Sequence, residues 1–285
     1  FIMGMDQGMG PFGEFQNKHG FALMTYKFET KMKVPTDIDD FVFPEKGSGE
    51  GVVSALEKIA KTANKPELAD APIAIYGMDK IGAAFAYNFT QWKPERIVAA
   101  VAGKGAFYTA IPTEESAKVP LLILWGQYDR SSEMWGSEHN HEYLYKEYAD
   151  LNPNWSYAME FRGTEEDSQQ ADYFARKYLH KLIEMRVPKV APKPEAPPPS
   201  EEEKEAKPAA EGQEGEAEPE PEPEPEVPAL IPIDRAESYV GNIETMEYSK
   251  MKKDAVLGEN ETWLPERGIS EMWKRFANGE LEVEE

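Results

Sequence analysis

Ile73-Ala74-Ile75-Tyr76-Gly77-Met78-Asp79-Lys80-Ile81-Gly82-Ala83-Ala84 is the stretch whose reading decides the fold of this chain. Four apolar or aromatic residues between Pro72 and Gly77 predict a short buried strand, and the alanine-rich run after Gly82 predicts the start of a helix. A strand that turns into a helix within a few residues needs small side chains where the two backbones pass, and Gly77 and Gly82 supply them. Asp79 sits at the tip of that turn.

The rest of the N-terminal part repeats the same grammar. Residues 1–3 read as the end of a strand and 20–28 as a second strand, with a glycine-rich loop at 4–11 and a short helix at 12–18 between them. Loop 4–11 reads as ordinary turn material, or as backbone N–H groups turned toward an anion. Residues 30–46 carry two prolines and no period, so they read as a surface loop. A helix over 48–61 places Val52, Val53, Leu56, Ile59 and Ala60 on one face. Beyond the quoted stretch come a helix at 81–90, strands at 97–102 and 120–126, a helix at 137–148, a strand at 155–161 and an amphipathic helix at 172–185. Short apolar strands alternating with helices predict an α/β fold with a doubly wound, mostly parallel sheet.

Composition narrows the function. The formal net charge is −22, and residues 201–226 hold twelve glutamates against two lysines. Phosphate backbones are repelled by such a chain, so no nucleic acid partner is expected. The absence of cysteine removes disulfides, thiolate catalysis and cysteine-ligated zinc. No apolar run is long enough for a transmembrane segment. A start at Phe1, without initiator Met or signal peptide, reads as a processed product or a fragment.

Three parts are expected: a main domain over 1–188, a linker over 189–228 and a C-terminal extension over 229–285. Residues 191–228 are proline, glutamate and alanine with almost no bulky apolar group, a composition that predicts disorder or extended polyproline-like chain. In the extension, Trp263-Leu264-Pro265 precedes a helix over 269–278 with Met272, Trp273 and Phe276 on one face. So small a segment is near the lower limit for a core of its own, which predicts docking on the main domain.

Residues 1–188 resemble the alpha/beta-hydrolase fold, in particular the esterase and depolymerase-like hydrolases among exported bacterial enzymes. The resemblance is carried by Gly20-Phe21-Ala22-Leu23-Met24, by the frame from Gly77 to Gly82, by Leu121-Leu122-Ile123-Leu124-Trp125-Gly126-Gln127-Tyr128-Asp129, and by Arg186-Val187-Pro188. Residues 241–276 are similar to the C-terminal extension of some of these hydrolases. The frame matches G-x-S-x-G in glycine placement to within one residue, with Asp79 where the nucleophilic serine stands. Asp129 takes the place of the acid, and Glu165 the place of the histidine after the last strand. The family's first strands and its serine and histidine are missing from this sequence. Export, periplasmic or extracellular, is implied by the resemblance alone.

The triad chemistry needs each partner: a serine is a poor nucleophile until a histidine takes its proton, and the acid orients that histidine. Asp79, Asp129 and Glu165 would set three carboxylates in one cleft with no matched base. Two readings follow. One is a catalytically degenerate protein acting as a binding or structural component, with an unknown protein partner or small-molecule ligand. The other is an active hydrolase, esterase-like or dehalogenase- or epoxide-hydrolase-like, with Asp79 as nucleophile. That second route still requires a histidine to activate water. His139 and His141 read as a solvated helix start or as a displaced base, while His19 and His180 read as surface or packing residues. His139 and His141 are two apart and share no helix face, so neither a metal nor a cofactor is expected.

Overall fold

A computed structural model describes residues 2–5, 12–13, 21–26, 42–130, 141–166, 168–189 and 229–283. Its six parallel strands are β1 (Ile2–Met5), β2 (Leu23–Tyr26), β3 (Ile73–Met78), β4 (Ile97–Gly103), β5 (Leu121–Gly126) and β6 (Trp155–Glu160). They lie in the order β2-β1-β3-β4-β5-β6. The chain first winds outward from β1 to β2, then returns to β3 on the other side of β1 and winds the opposite way. The order therefore reverses between β1 and β3, where an open sheet offers a crevice at the carboxyl ends of its strands.

Helices α1 (Ser48–Ala63), α2 (Asp79–Trp92), α3 (Glu114–Ala117), α4 (His141–Glu147) and α5 (Gln169–Arg186) connect and flank these strands. Strands β3 and β4 are buried on every residue, as strands covered on both faces must be. One core layer joins Tyr76, Val101 and Leu122 to Phe174, Tyr178 and Leu182 of α5. The other joins Ile75, Ala100 and Ile123 to Leu56 of α1 and Phe85 and Phe89 of α2. On α1, Val52, Leu56 and Ala60 are buried, but Ile59 is exposed, contrary to the helical-face expectation. Gly49 takes the inward position instead, packed so closely that a Cβ there would meet Pro44 and Trp92. The strand expected over 20–28 is described at Leu23–Tyr26, and the expected helix at 12–18 lies, apart from Phe12 and Gly13, outside the described residues. The linker expected over 189–228 lies outside them as well, except for Lys189.

The C-terminal extension contains more regular structure than its sequence pattern announced. It forms an antiparallel sheet, β7 (Tyr239–Asn242), β8 (Glu247–Lys250) and β9 (Glu261–Leu264), followed by α6 (Arg267–Ala277). Each strand has four residues, too few to show an alternating period. Trp263, Trp273 and Phe276 are buried, and the Phe276 ring stacks on Phe174 of α5 at 5.2 Å. Strand β6 ends the parallel sheet, and its outward polar groups find partners here. The Tyr157 N–H donates to Thr262 Oγ1 at 2.7 Å, Trp273 Nε1 donates to the Tyr157 carbonyl at 2.7 Å, and Ser156 Oγ donates to the Trp263 carbonyl at 2.7 Å. An edge strand left without partners is a template for pairing with another chain, and the extension removes that hazard. The chain leaving α5 and the chain returning to the extension also meet, since the Ile231 N–H donates to the Arg186 carbonyl at 2.8 Å.

We predict that Thr262→Val, which keeps the side-chain shape and removes the hydroxyl, leaves the buried Tyr157 N–H without its acceptor. The expected loss is about 1–3 kcal/mol, read as a lower urea midpoint. An unchanged midpoint would show that the extension does not contribute to the stability of the sheet edge.

Candidate functional site

The site is built where β3 turns into α2. Asp79, the first residue of α2, has φ +67°, in the left-handed region that costs a residue with a Cβ free energy and that aspartate tolerates better than most. Beneath it the backbone is crowded, because a Cβ on Gly77 would collide with the Gly82 carbonyl and with Ala86. The second glycine of the frame thus sits where the helix passes closest to the strand. A strained, tight strand-to-helix turn at the carboxyl end of a central parallel strand, beside the point where strand order reverses, is a nucleophile elbow in its backbone geometry. The fold is alpha/beta-hydrolase-like.

The elbow's side chain is held in an unusual way. Asp79 Oδ1 accepts from the Ile81 N–H at 2.9 Å and from the Gly82 N–H at 3.1 Å. These are first-turn amides of α2, the donors that a helix start leaves without an internal partner and that favour an anion. Here they hold the chain's own carboxylate. Tyr26, at the end of β2, is the described neighbour that feels its charge. Burial first, and the Asp79 carboxylate second, push the Tyr26 phenol well above its ordinary range.

The other two triad-equivalent positions follow the carboxyl ends of β5 and β6. Asp129 follows the turn after β5, its N–H donating to the Gly126 carbonyl at 2.9 Å. Its charge acts on Tyr108 and on His141. Glu165 lies half-buried in the loop after β6. Among the described residues no hydrogen bond or ion pair joins any two of Asp79, Asp129 and Glu165. Asp129 and Glu165 belong to loops tied to one another, and Asp79 caps the start of α2.

What ties those loops is a buried ion pair that sequence reasoning missed. Lys104, directly after β4, and Glu160, the last residue of β6, are both buried and pair with each other. Lys104 Nζ also donates to the Thr164 carbonyl at 2.7 Å, and Ser168 Oγ, the cap of α5, donates to the other oxygen of Glu160. The Tyr128 N–H donates to the Gly163 carbonyl at 2.7 Å, and the Arg162 N–H to Gln127 Oε1 at 2.9 Å. Gly126 and Gly163 permit this approach: a Cβ on Gly126 would meet the Gly163 and Thr164 carbonyls, and one on Gly163 would meet the Glu160 carboxylate. Buried charges are tolerated when paired and fully hydrogen-bonded, and removing one member of such a pair costs about 3–5 kcal/mol. The only sequence signals were a lysine between Gly103 and Gly105 after an apolar strand, and an acid ending the last strand.

His141, at the start of α4, stacks on Trp125 with ring centroids 4.2 Å apart and planes at 12°. Burial lowers its pKa to about 4, only partly offset by Asp129. It is neutral at pH 7, but so weak a base has little drive to take a proton. His180 pairs with Glu184 on α5 at 3.1 Å, while His19 and His139 lie outside the described residues. Among the described residues no cluster of three or more His, Cys, Asp or Glu side chains is placed to hold a metal ion, and no helix is long and apolar enough to cross a membrane.

No family model matches the chain, and no curated relative matches it. Among solved structures it is similar to esterase PE8, at 16% identity over 64% of this chain and 90% of that one, with a TM-score of 0.44. MGS-M1, an alpha/beta hydrolase enzyme from a Medee basin deep-sea metagenome library, is similar at 14% identity over 64% and 84%, with a TM-score of 0.41. The poly(3-hydroxybutyrate) depolymerase LpqC from Bordetella parapertussis follows at 13% over 66% and 79%, with a TM-score of 0.40. At these values the likeness carries no weight on activity, and the alpha/beta-hydrolase-like assignment stands on strand order and elbow geometry.

We predict that His141 titrates near pH 4 in the folded chain, read from its imidazole proton resonances. The unfolded chain takes up that proton below its ordinary value near 6.5, so the native state loses stability as pH falls from there toward 4. The loss is up to about 3 kcal/mol, and His141→Phe removes it. A folded-state midpoint near 6.5 would contradict the stacked, desolvated environment.

Proposed function

We propose that this chain is a catalytically degenerate alpha/beta-hydrolase-like protein that acts as a binding or structural component, for a protein partner or a small-molecule ligand. One observation carries the reading: the elbow carboxylate is captured by the Ile81 and Gly82 amides. A nucleophile needs a free electron pair aimed at substrate and a base to complete the second half of the reaction. Asp79 Oδ1 holds the carboxylate on the helix start, which leaves Oδ2 as the oxygen that could reach a substrate, and His141, its pKa lowered to about 4, is too weak a base to drive the second step. The position of the family's histidine holds Glu165, in a loop bound to the buried Lys104 and Glu160 pair.

The alternative is an active hydrolase with Asp79 as covalent nucleophile, and what favours it is the elbow backbone itself, with Asp79 exposed at φ +67°. In that mechanism a carboxylate oxygen attacks carbon, the leaving group departs with the bonding pair, and an activated water hydrolyses the resulting ester. His141, the described imidazole near an acid of the triad set, faces Trp125 and Asp129.

Turnover of p-nitrophenyl esters separates the two readings. We predict a rate at background and unchanged by Asp79→Asn, since backbone donors alone leave at most a residual acceleration on the order of a thousandfold over water. A haloalkane or epoxide adduct on Asp79, seen as a mass shift and abolished by Asp79→Asn, would overturn the non-catalytic reading.

A further inference from the structure

At the amino-terminal edge of the sheet, opposite the elbow by the length of a strand, about 20 Å, lies a cleft of about 650 Å³. It is lined by Arg186 from the end of α5 and Arg235 from the extension, with Lys118 also contributing. Leu151, Leu230 and Ile233 form apolar wall. The volume is that of a small-molecule site.

The two guanidiniums are the unusual feature. Arg186 Nη1 donates to the Ile97 carbonyl at 2.9 Å and the Val98 carbonyl at 2.5 Å, at the start of β4. Arg235 Nη1 donates to the Asn152 carbonyl at 2.6 Å and Asn154 Oδ1 at 2.9 Å, and its Nη2 to Asn152 Oδ1 at 2.8 Å. Every one of these acceptors is neutral. Among the described residues neither arginine forms an ion pair, although Glu114 and Asp150 also line the cleft. Burial lowers the pKa of both, which is the cost of holding a cation out of water without a counter-charge. A chain with so large an acidic excess has carboxylates to spare, yet neither of these cations is ion-paired with one among the described residues. Glu114 and Asp150 are exposed, so solvent and salt screen them.

We propose that this cleft binds a small organic oxyanion, with its charged group on Arg186 and Arg235 and its apolar body against Leu151, Leu230 and Ile233. After these bonds, and one from Arg186 Nε to the Ile231 carbonyl at 3.4 Å, Arg186 keeps its Nη2 donors and Arg235 its Nε donor and one on Nη2 for an oxyanion, and the neutral acceptors fix both side chains before the ligand arrives. Lys118 on the rim adds attraction during approach. The inference is independent of the fate of the elbow and survives either outcome there.

The test is calorimetric titration of the full chain with phenyl phosphate, compared with inorganic phosphate and with neutral benzyl alcohol. Saturable binding is expected for phenyl phosphate, weaker binding for inorganic phosphate and none for benzyl alcohol. Lys118→Gln, an exposed position with no described side-chain hydrogen bond, is expected to leave the fold intact and weaken phenyl phosphate binding several-fold. Arg235→Gln is expected to weaken it at least about tenfold, or 1.4 kcal/mol. Because Arg235 also anchors the extension, the native chain supplies a second readout: the Asn152 and Asn154 side-chain amide resonances shift on titration. Absence of saturable binding up to about 10 mM, equal binding of benzyl alcohol, or resonance shifts confined to the elbow would each overturn the proposal.

Discussion

The contact between the Asp79 carboxylate and the first amides of α2 is the constraint on which the functional reading depends. The turn demands a left-handed residue at its tip and near contact between Gly77 and Gly82 beneath it. Aspartate meets the first demand at modest cost and then supports the helix with two hydrogen bonds, the contribution an N-terminal cap makes. On the non-catalytic reading proposed above, a geometry that exposes a nucleophile in an enzyme is retained for its architecture, because the strand, the turn and the helix still need to meet.

The carboxyl edge of β4 to β6 follows the same logic. A hydrolase needs the loop after β6 to present a base toward the elbow. In this chain that loop is fastened from below by Lys104, from the side by the backbone after β5, and at its end by the capped start of α5. The buried pair orders these strand ends more than it stabilises them, since two desolvated charges return little net free energy even when well paired. At the far edge, the extension replaces solvent along β6 with side-chain donors and acceptors from Thr262 and Trp273.

Much of the sheet was legible because β3 to β6 are almost wholly buried and read as apolar runs between turn residues. The structure sets β1 between β2 and β3, an order compatible with right-handed parallel crossovers. The β7 to β9 sheet was not legible, because four-residue strands carry no period and their pairing is a long-range property. Asp79 could be found from its glycine frame, but its hydrogen bonds could not, since an aspartate at a helix start and an aspartate at an elbow are the same letter. Lys104 and Glu160 are 56 residues apart, and no local pattern joins them. Ile59 misled because a helix face is defined by what it packs against, and α1 is seated through Gly49, Val52, Leu56 and Ala60, with Gly49 close on Pro44 and Trp92.

The sign of the stability change in Asp79→Ala tests the central claim most directly, with Asp79→Asn as its reference. If the carboxylate serves the fold, alanine loses both the cap and the tolerance for positive φ, and the chain is destabilised by about 2–3 kcal/mol. Asparagine, which caps and accepts the left-handed conformation nearly as well, costs under about 1 kcal/mol. An Asp79→Ala chain as stable as the original, or more stable, would mean that the carboxylate is held at the elbow under strain for chemistry, and would contradict a structural role for Asp79.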